Sequence, residues 1–190
     1  KRSGEIDLTM IKNVIDKIGK LLSKTQHKPI IIIKSTVIPG TTRDVILSIL
    51  QRVSGKKVGK DFGLVTNPEF LRETMAVHDT LYPHVVVLGG DNNSFLKKVK
   101  RFYYNLHHNV PIVLTNYGTA EIIKYANNSF LATKISFINQ IASICEEIPG
   151  ASIDDVAKTI GLDPRIGNLF LDAGPGYGGS CLPKDVKAII

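Results

Sequence analysis

The chain has 190 residues, and its 43% hydrophobic and 22% charged composition is that of a globular protein with a core of its own. No apolar run reaches the length of a membrane span and the first residues do not form a secretion signal, so we expect no membrane partner. The formal net charge of +7 suits nucleic acid or small anionic substrates. Because the lysines are scattered and lack an aromatic-rich basic motif, we expect no nucleic-acid partner. Two cysteines far apart predict a reducing, cytoplasmic compartment rather than a disulfide framework.

The first part of the chain alternates helix and strand patterns. Apolar residues at helical spacing predict an amphipathic helix over residues 6–22. Residues 29–34 include four consecutive isoleucines, which predict a strand covered on both faces and therefore parallel. The other elements predicted here are a helix from Thr41 or Thr42 to about residue 53, strands at 63–66, 85–90 and 112–114, and a helix from 93 to about 105. This alternation predicts part of a doubly wound α/β fold.

Residues 121–147 contain no proline or glycine and predict a helix about 40 Å long. Such a helix outruns a small domain, so we expect it to link two domains or to pair with a copy of itself. Within it, Lys124 and Asn128 share a face with an apolar stripe, which makes them inward-facing polar groups that need partners. They could stabilise an anionic intermediate, although a lysine near a helix start can also extend to water. A shorter helix is predicted near residues 153–160.

Residues 174–185 read GPGYGGSCLPKD and form the most distinctive stretch of the chain. The glycines allow a ligand to approach the backbone closely, and Pro183 suits the first turn of a helix. Cys181 would then lie just before a helix N-terminus, whose partial positive charge stabilises a thiolate. The lysine and aspartate that follow add a cation and a base. This pattern indicates a nucleophilic cysteine, whereas a structural cysteine, the alternative, better describes Cys145.

The same stretch resembles the active-site signature of the UDP-glucose/GDP-mannose dehydrogenases. Four further segments carry the resemblance over nearly the whole chain: STVIPGTT at 35–42, NPEFLRE at 67–73, E-x-x-K-x-x-x-N at 121–128 and DPRIG at 163–167. The resemblance implies part of a doubly wound Rossmann-type parallel sheet, followed by a mainly helical linking and dimerisation domain. The implied boundaries are residues 1–117 for the back half of an NAD-binding domain and 118–190 for the helical domain.

The resemblance also implies the reaction. Members of this family use NAD to oxidise the primary alcohol of a sugar nucleotide to a carboxylic acid in two steps, through a covalent cysteine thiohemiacetal and thioester. UDP-glucose is the expected substrate, with UDP-N-acetylmannosamine or GDP-mannose as alternatives, and a homodimer through the long helix is the expected assembly. The family's first strand, with the G-x-G-x-x-G turn that holds the pyrophosphate, and its UDP-binding domain are not found in these residues, so we expect this chain alone to be inactive.

The resemblance assigns roles by position. The implied catalytic residues are Cys181, Lys124, Asn128, Asp185, Glu69 and Thr36. The implied substrate-binding residues are Phe70, Leu71, Arg72, Glu73, Arg165, Tyr177 and Gly178, with Arg165 reaching the substrate of a neighbouring subunit. The implied cofactor-binding residues are Ser35, Thr36, Glu73 and Lys184. Without the resemblance, Glu69 and Glu73 would be interpreted as solvated loop carboxylates.

Two other classes of function stay open. A cysteine hydrolase would need a histidine base in a comparable motif, and none stands out. A non-catalytic dimerisation module is also possible, because half of the family's active site is not in these residues. The five histidines do not have the spacing of metal ligands, so we expect no metal site; they are His27, His78, His84, His107 and His108.

Overall fold

The structure is a computed structural model that describes residues 7–189, so the predicted start of the first helix at Ile6 lies outside the described residues. The chain divides into two compact units, a first unit that ends at Lys124 and a second that begins at Tyr125. The helices and strands are α1 (Thr9–Lys24), β1 (Ile30–Ile33), a π-helical segment (Thr42–Leu47) that continues into α2 (Ser48–Ser54), β2 (Gly63–Thr66), a 3₁₀ turn (Glu73–Met75), α3 (Ala76–Leu81), β3 (Val86–Gly89), α4 (Asn93–Leu106), β4 (Ile112–Thr115), α5 (Tyr117–Glu146), α6 (Ile153–Gly161) and α7 (Leu182–Ile189).

The sheet of the first unit has the order β1-β2-β3-β4. β1 and β2 are parallel, as are β3 and β4, but β2 and β3 are antiparallel and pair only at Thr66 and Gly89. The predicted α/β class is confirmed, and the sheet is mixed where a fully parallel one was expected. The connection between β2 and β3 contains only a 3₁₀ turn and the six-residue α3, in place of the longer crossover helix that usually joins parallel strands.

Alternate residues of the strands feed two hydrophobic clusters, because successive strand side chains point to opposite faces. Ile33 and Leu64 join the cluster that α1 and α2 cover. Val65 and Val86 join the cluster that α4 covers, and Ile30 and Ile32 pack against it. β1 thus contributes to both faces, as its run of isoleucines predicts. A core on both faces leaves the strand ends as the place for polar groups.

The start of α5 packs closely on the end of β3. A Cβ atom at Gly89 would lie 2.6 Å from the Asn116 carbonyl oxygen and 2.6 Å from the Ala120 Cβ, so this contact requires glycine. The Asn116 side chain accepts the Thr119 N–H at 2.8 Å, which explains why α5 begins four residues before the predicted start. Tyr117 donates to the Leu64 carbonyl at 3.1 Å, and burial raises the pKa of Tyr117 to about 12.

In the second unit, α5 is hydrogen-bonded to the loop between α6 and α7. The Ser152 hydroxyl accepts the Asp155 N–H and caps α6. The Asn139 side chain accepts the Gly174 N–H at 2.8 Å, and Lys134 donates to the Ile166 carbonyl at 3.1 Å. The bond to Gly174 attaches the start of the glycine-rich stretch to α5. No helix within residues 7–189 is long and apolar enough to cross a membrane.

Candidate active site

Ser35 and Thr36 follow β1 at its carboxyl end, the edge at which open α/β sheets bind ligands. Ser35 is exposed and Thr36 is half-buried. The chain then turns through Gly40, whose φ of 94° is in the left-handed region, and enters the π-helical segment. The carboxylate of Glu121 accepts two backbone N–H groups of this turn.

Asn67 holds the loop that follows β2. It is 3% exposed, and its N–H donates to the Ile33 carbonyl at 2.7 Å. Its side-chain Nδ2 donates to the Val87 carbonyl at 2.9 Å, while Oδ1 accepts Lys34 Nζ at 2.9 Å and the Tyr103 hydroxyl at 2.6 Å. Asn67 therefore joins both halves of the sheet at the point where the NPEFLRE segment begins.

Lys124 lies inside the first unit and is 4% exposed, so its ammonium does not extend to water as the alternative interpretation required. Its Nζ lies 3.4 Å from Glu69 Oε1 and 5.4 Å from the centre of the Phe70 ring. Glu69 Oε2 accepts the Leu71 N–H at 2.7 Å. The sequence-predicted residues Glu69, Phe70 and Lys124 are therefore in direct contact.

The rest of the NPEFLRE loop is exposed and attached to α3. The Arg72 guanidinium donates twice to Asp79, and the Arg72 N–H donates to Asp79 Oδ2 at 2.9 Å. The Arg72 guanidinium thereby holds the pKa of Asp79 well below its usual range. The Leu71 N–H already has a partner in the loop and the Arg72 N–H has one in α3, so a ligand there would compete with both. Glu73 begins the 3₁₀ turn and is exposed.

In the second unit, Cys181 directly precedes α7, as the sequence predicts. The thiol is exposed, and the first helical hydrogen bond runs from the Asp185 N–H to the Cys181 carbonyl at 2.9 Å. The Asp185 carboxylate is 1% exposed and lies in the first turn of α7. It accepts Asn128 Nδ2 at 2.7 Å and Lys184 Nζ at 2.5 Å. These contacts bring four predicted residues together: Asn128, Cys181, Lys184 and Asp185.

Three other predicted residues of the second unit are Arg165, Tyr177 and Gly178. Arg165 is exposed and pairs with Asp163 at 2.6 Å, which holds the pKa of the Asp163 carboxyl below its usual value. Tyr177 is half-buried and Gly178 is exposed. Arg165 therefore presents its side chain at the surface of the second unit.

Sequence reasoning missed the roles of Asn67 and Glu121. Both are buried polar residues whose partners lie far away in the chain. Lys34 and Val87 are 33 and 20 residues from Asn67. Gly40 and Thr42 are 81 and 79 residues from Glu121. An asparagine directly after a buried strand and before a proline was the available signal for Asn67. Glu121 is the first residue of the motif at 121–128, but the motif does not indicate which groups this carboxylate contacts.

The residues of the first unit fit part of NAD. Ser35 and Thr36 offer hydroxyls and Glu73 offers a carboxylate, which suit the neutral hydrogen-bonding groups of a ribose or a nicotinamide amide. They do not suit the pyrophosphate, which would need backbone N–H groups at a glycine-rich helix start. Among residues 7–189, no group of three histidine, cysteine or acidic side chains could hold a metal ion.

A mixed α/β sheet with polar loops at its strand ends places the first unit in the class of open α/β folds, which bind ligands at that edge. Solved structures share it: a UDP-glucose dehydrogenase from Pyrobaculum islandicum matches with a TM-score of 0.86 and 33% identity, over 100% of this chain and 42% of that one. A GDP-mannose dehydrogenase from Pseudomonas aeruginosa matches with a TM-score of 0.81 and 34% identity, over 100% of this chain and 43% of that one.

The chain belongs to the UDP-glucose/GDP-mannose dehydrogenase family. Residues 1–107 match the family's NAD binding domain, and residues 118–190 match its central domain. The UDP-glucose 6-dehydrogenase of Rickettsia typhi is 46% identical over 190 residues, which is 100% of this chain and 42% of that protein. The enzyme of the same name from Bacillus subtilis is 45% identical over 100% of this chain and 39% of that protein. The chain thus spans about two fifths of the length of these relatives.

Proposed function

We propose that the protein containing this chain oxidises UDP-glucose to UDP-glucuronate with NAD, in two steps. The exposed Cys181 at the start of α7, with the buried Asp185 behind it, is the observation that carries the proposal. Membership of the dehydrogenase family supports it, as does the similarity to enzymes named UDP-glucose 6-dehydrogenase. The division into a domain of residues 1–117 and one of 118–190 stays a prediction, and so does a cytoplasmic location.

NAD, when bound, accepts one hydride from the primary alcohol and a second from the cysteine adduct. Ser35, Thr36, Glu73 and Lys184 are the residues that would hold it. Thr36, at the carboxyl end of β1, would lie beside the reacting carbon. The hydroxyl and carboxylate groups would orient the cofactor through hydrogen bonds, whereas Lys184 would add a positive charge.

The Cys181 thiolate attacks the aldehyde carbon and forms a carbon–sulfur bond, and the carbonyl oxygen becomes an oxyanion that takes up a proton. This step returns the carbon to a tetrahedral centre that bears a hydride, so that the second oxidation can yield a thioester. Cys181 lies directly before α7 and is exposed, so its sulfur is accessible to the aldehyde carbon. Lys124 and Asn128 stabilise the oxyanion by charge and hydrogen bonding.

Water then hydrolyses the thioester, which breaks the carbon–sulfur bond and returns the thiol. Asp185 is the acceptor beside Cys181 that orients the water, and its carboxylate is fixed by Asn128 and Lys184. One proton of the water goes to the leaving sulfur of Cys181. The other is released when the acid ionises, and the carboxylate of Glu69, which lies against Lys124, accepts it. In this proposal the sugar nucleotide is contacted by Phe70, Leu71, Arg72, Glu73, Tyr177 and Gly178. Arg165 contacts the substrate of a neighbouring subunit.

We also propose a homodimer through α5. Phe130, Phe137 and Ile144 are exposed and lie seven residues apart, so they form one apolar line along the helix. A second copy of the helix would cover this line.

The proposed function is tested by measuring NADH formation by an active enzyme that contains residues 1–190. The substrates to compare are UDP-glucose, UDP-N-acetylmannosamine and GDP-mannose. The expected result is two NADH per uronic acid formed and the highest kcat/KM with UDP-glucose. One NADH per substrate, with an aldehyde as the product, would contradict the covalent two-step reaction. Equal or higher kcat/KM with another sugar nucleotide would contradict the substrate assignment.

A further inference from the structure

Glu121 is a carboxylate inside the first unit, with 3% of its surface exposed. Its Oε2 accepts the Gly40 N–H at 2.6 Å and its Oε1 accepts the Thr42 N–H at 2.9 Å. Each oxygen thus has its own backbone donor in the turn after β1. Hydrogen bonds to an ionised acceptor are about twice as strong as those between neutral groups, so this pair of bonds fixes the turn firmly.

The turn has no local cap. The first N–H groups of a helix have no partners within it, and residue 41, the cap position of the π-helical segment, makes no side-chain cap hydrogen bond. Glu121 supplies the missing acceptor from a distant helix, and its negative charge complements the positive helix start. The conformation of residues 37–42 therefore depends on a side chain about eighty residues further along the chain.

The same end of α5 also holds the loop after β2. Lys124 lies three residues from Glu121, one turn along α5, and contacts Glu69. Glu121 holds the turn that follows Thr36, whereas Lys124 holds the turn that carries Glu69. A single helix end therefore fixes both loops that leave the parallel pair β1 and β2.

From this geometry we infer that Glu121 is a positioning residue for the oxidation, an inference that rests on the proposed function. It does not touch the substrate. It fixes the backbone after Thr36, and so sets the place of the Thr36 hydroxyl beside the reacting carbon. Small displacements at a reacting centre lower rates strongly, by about 100-fold for 1 Å. The structure thereby assigns the first residue of the E-x-x-K-x-x-x-N motif a role of its own.

The test compares Glu121→Gln with Asp16→Asn in an active enzyme that contains this chain. Glutamine has the same length but one acceptor oxygen, so one of the two loop N–H groups loses its partner. Asp16→Asn also neutralises a carboxylate of the first unit, but that group pairs with Lys20 at the surface of α1. Backbone hydrogen exchange and initial-rate kinetics are measured on both variants.

For Glu121→Gln we expect faster exchange confined to residues 36–42 and a kcat about tenfold to about 100-fold lower, with KM for the UDP-sugar within about threefold. Asp16→Asn should match the parent enzyme in both measurements. Glu121→Asp, which keeps the charge but reaches less far, should give values between the parent and Glu121→Gln, and it provides the test if glutamine prevents folding.

Unchanged exchange over residues 36–42 would overturn the inference, because Glu121 would then not hold the turn. Faster exchange throughout the first unit, or loss of folding in both Glu121→Gln and Glu121→Asp, would also overturn it, because either result indicates a general structural role. Faster local exchange with an unchanged kcat would also overturn it. A parent enzyme that does not oxidise UDP-sugars would instead refute the proposed function. In that case local exchange would still report whether Glu121 holds the turn.

Discussion

Replacing Lys124 by methionine removes a buried ammonium and keeps most of the side-chain volume. Its Nζ has Glu69 Oε1 at 3.4 Å and the Phe70 ring at 5.4 Å. A single donor to an oxyanion contributes on the order of 3 kcal/mol to the transition state, which corresponds to a kcat about 150-fold lower. KM for UDP-glucose should change little, because the oxyanion forms only after the substrate is bound.

The stability of the variant should change much less than its rate. Loss of the contact with Phe70 costs about 1 kcal/mol. Glu69 keeps its hydrogen bond from Leu71, and 28% of its side chain is exposed, so its charge is not stranded in the core. We therefore expect a free energy of unfolding lower by about 1–2 kcal/mol, too little to unfold the enzyme.

The assay is the initial rate of NADH formation at varied UDP-glucose, with Lys98→Met as the matched control. Lys98 Nζ lies 5.4 Å from the centre of the Phe95 ring, the same distance as in the Lys124–Phe70 pair, but Lys98 is at the surface of α4. The control should keep the parent kcat. A Lys124→Met enzyme with an unchanged kcat and a raised KM would refute the reasoning, because Lys124 would then bind only the ground-state sugar.

Four further outcomes are expected. Cys181→Ser should release no uronic acid and should stop at the aldehyde or accumulate an ester visible by mass spectrometry; release at the parent rate would exclude Cys181 as the nucleophile. Phe137→Glu should convert the dimer to monomers in light scattering, and a parent enzyme that is monomeric at high concentration would contradict the dimer. Because the folded-state pKa of Asp79 is lowered by Arg72, the pair stabilises the fold above the unfolded-state pKa of about 3.9, and this contribution is lost as the pH falls below that value. Arg72→Gln should therefore return the pKa of Asp79 towards its ordinary value in an NMR titration, and an unchanged pKa would exclude Arg72 as the cause. Residues 1–190 alone should bind NAD weakly in calorimetric titration, because the G-x-G-x-x-G spacing in them, at Gly174, Gly176 and Gly179, does not follow a strand as a dinucleotide-binding turn does; a dissociation constant in the low micromolar range would contradict this.

Local patterns were sufficient for most elements. The four isoleucines predicted β1, and the proline after Cys181 predicted the start of α7. The absence of glycine and proline predicted the body of α5, whereas its start depended on the cap from Asn116. These features follow from residues that are close together in the chain, where periodicity and capping rules apply directly.

The missed features depend on distant contacts. The six-residue α3 is too short for a periodic signal, and the reversed direction of β3 depends on the pairing of Thr66 with Gly89. The spacing of Lys124 indicated an inward-facing group. It did not indicate the contact with Glu69, which lies 55 residues earlier in the chain. Buried polar groups show their partners only when the fold brings them together.

Residues 68–85 connect the end of β2 to the start of β3. The side chain of Asn67, just after β2, donates to the carbonyl of Val87, near the start of β3. The ends of this segment are therefore held together by the sheet itself, whatever lies between them. The entropic cost of closing a flexible loop grows slowly, by about 0.6 kcal/mol for a doubling in length. A change in length within the exposed part of this segment, away from Glu69 and Phe70, which contact the buried Lys124, should consequently cost little stability.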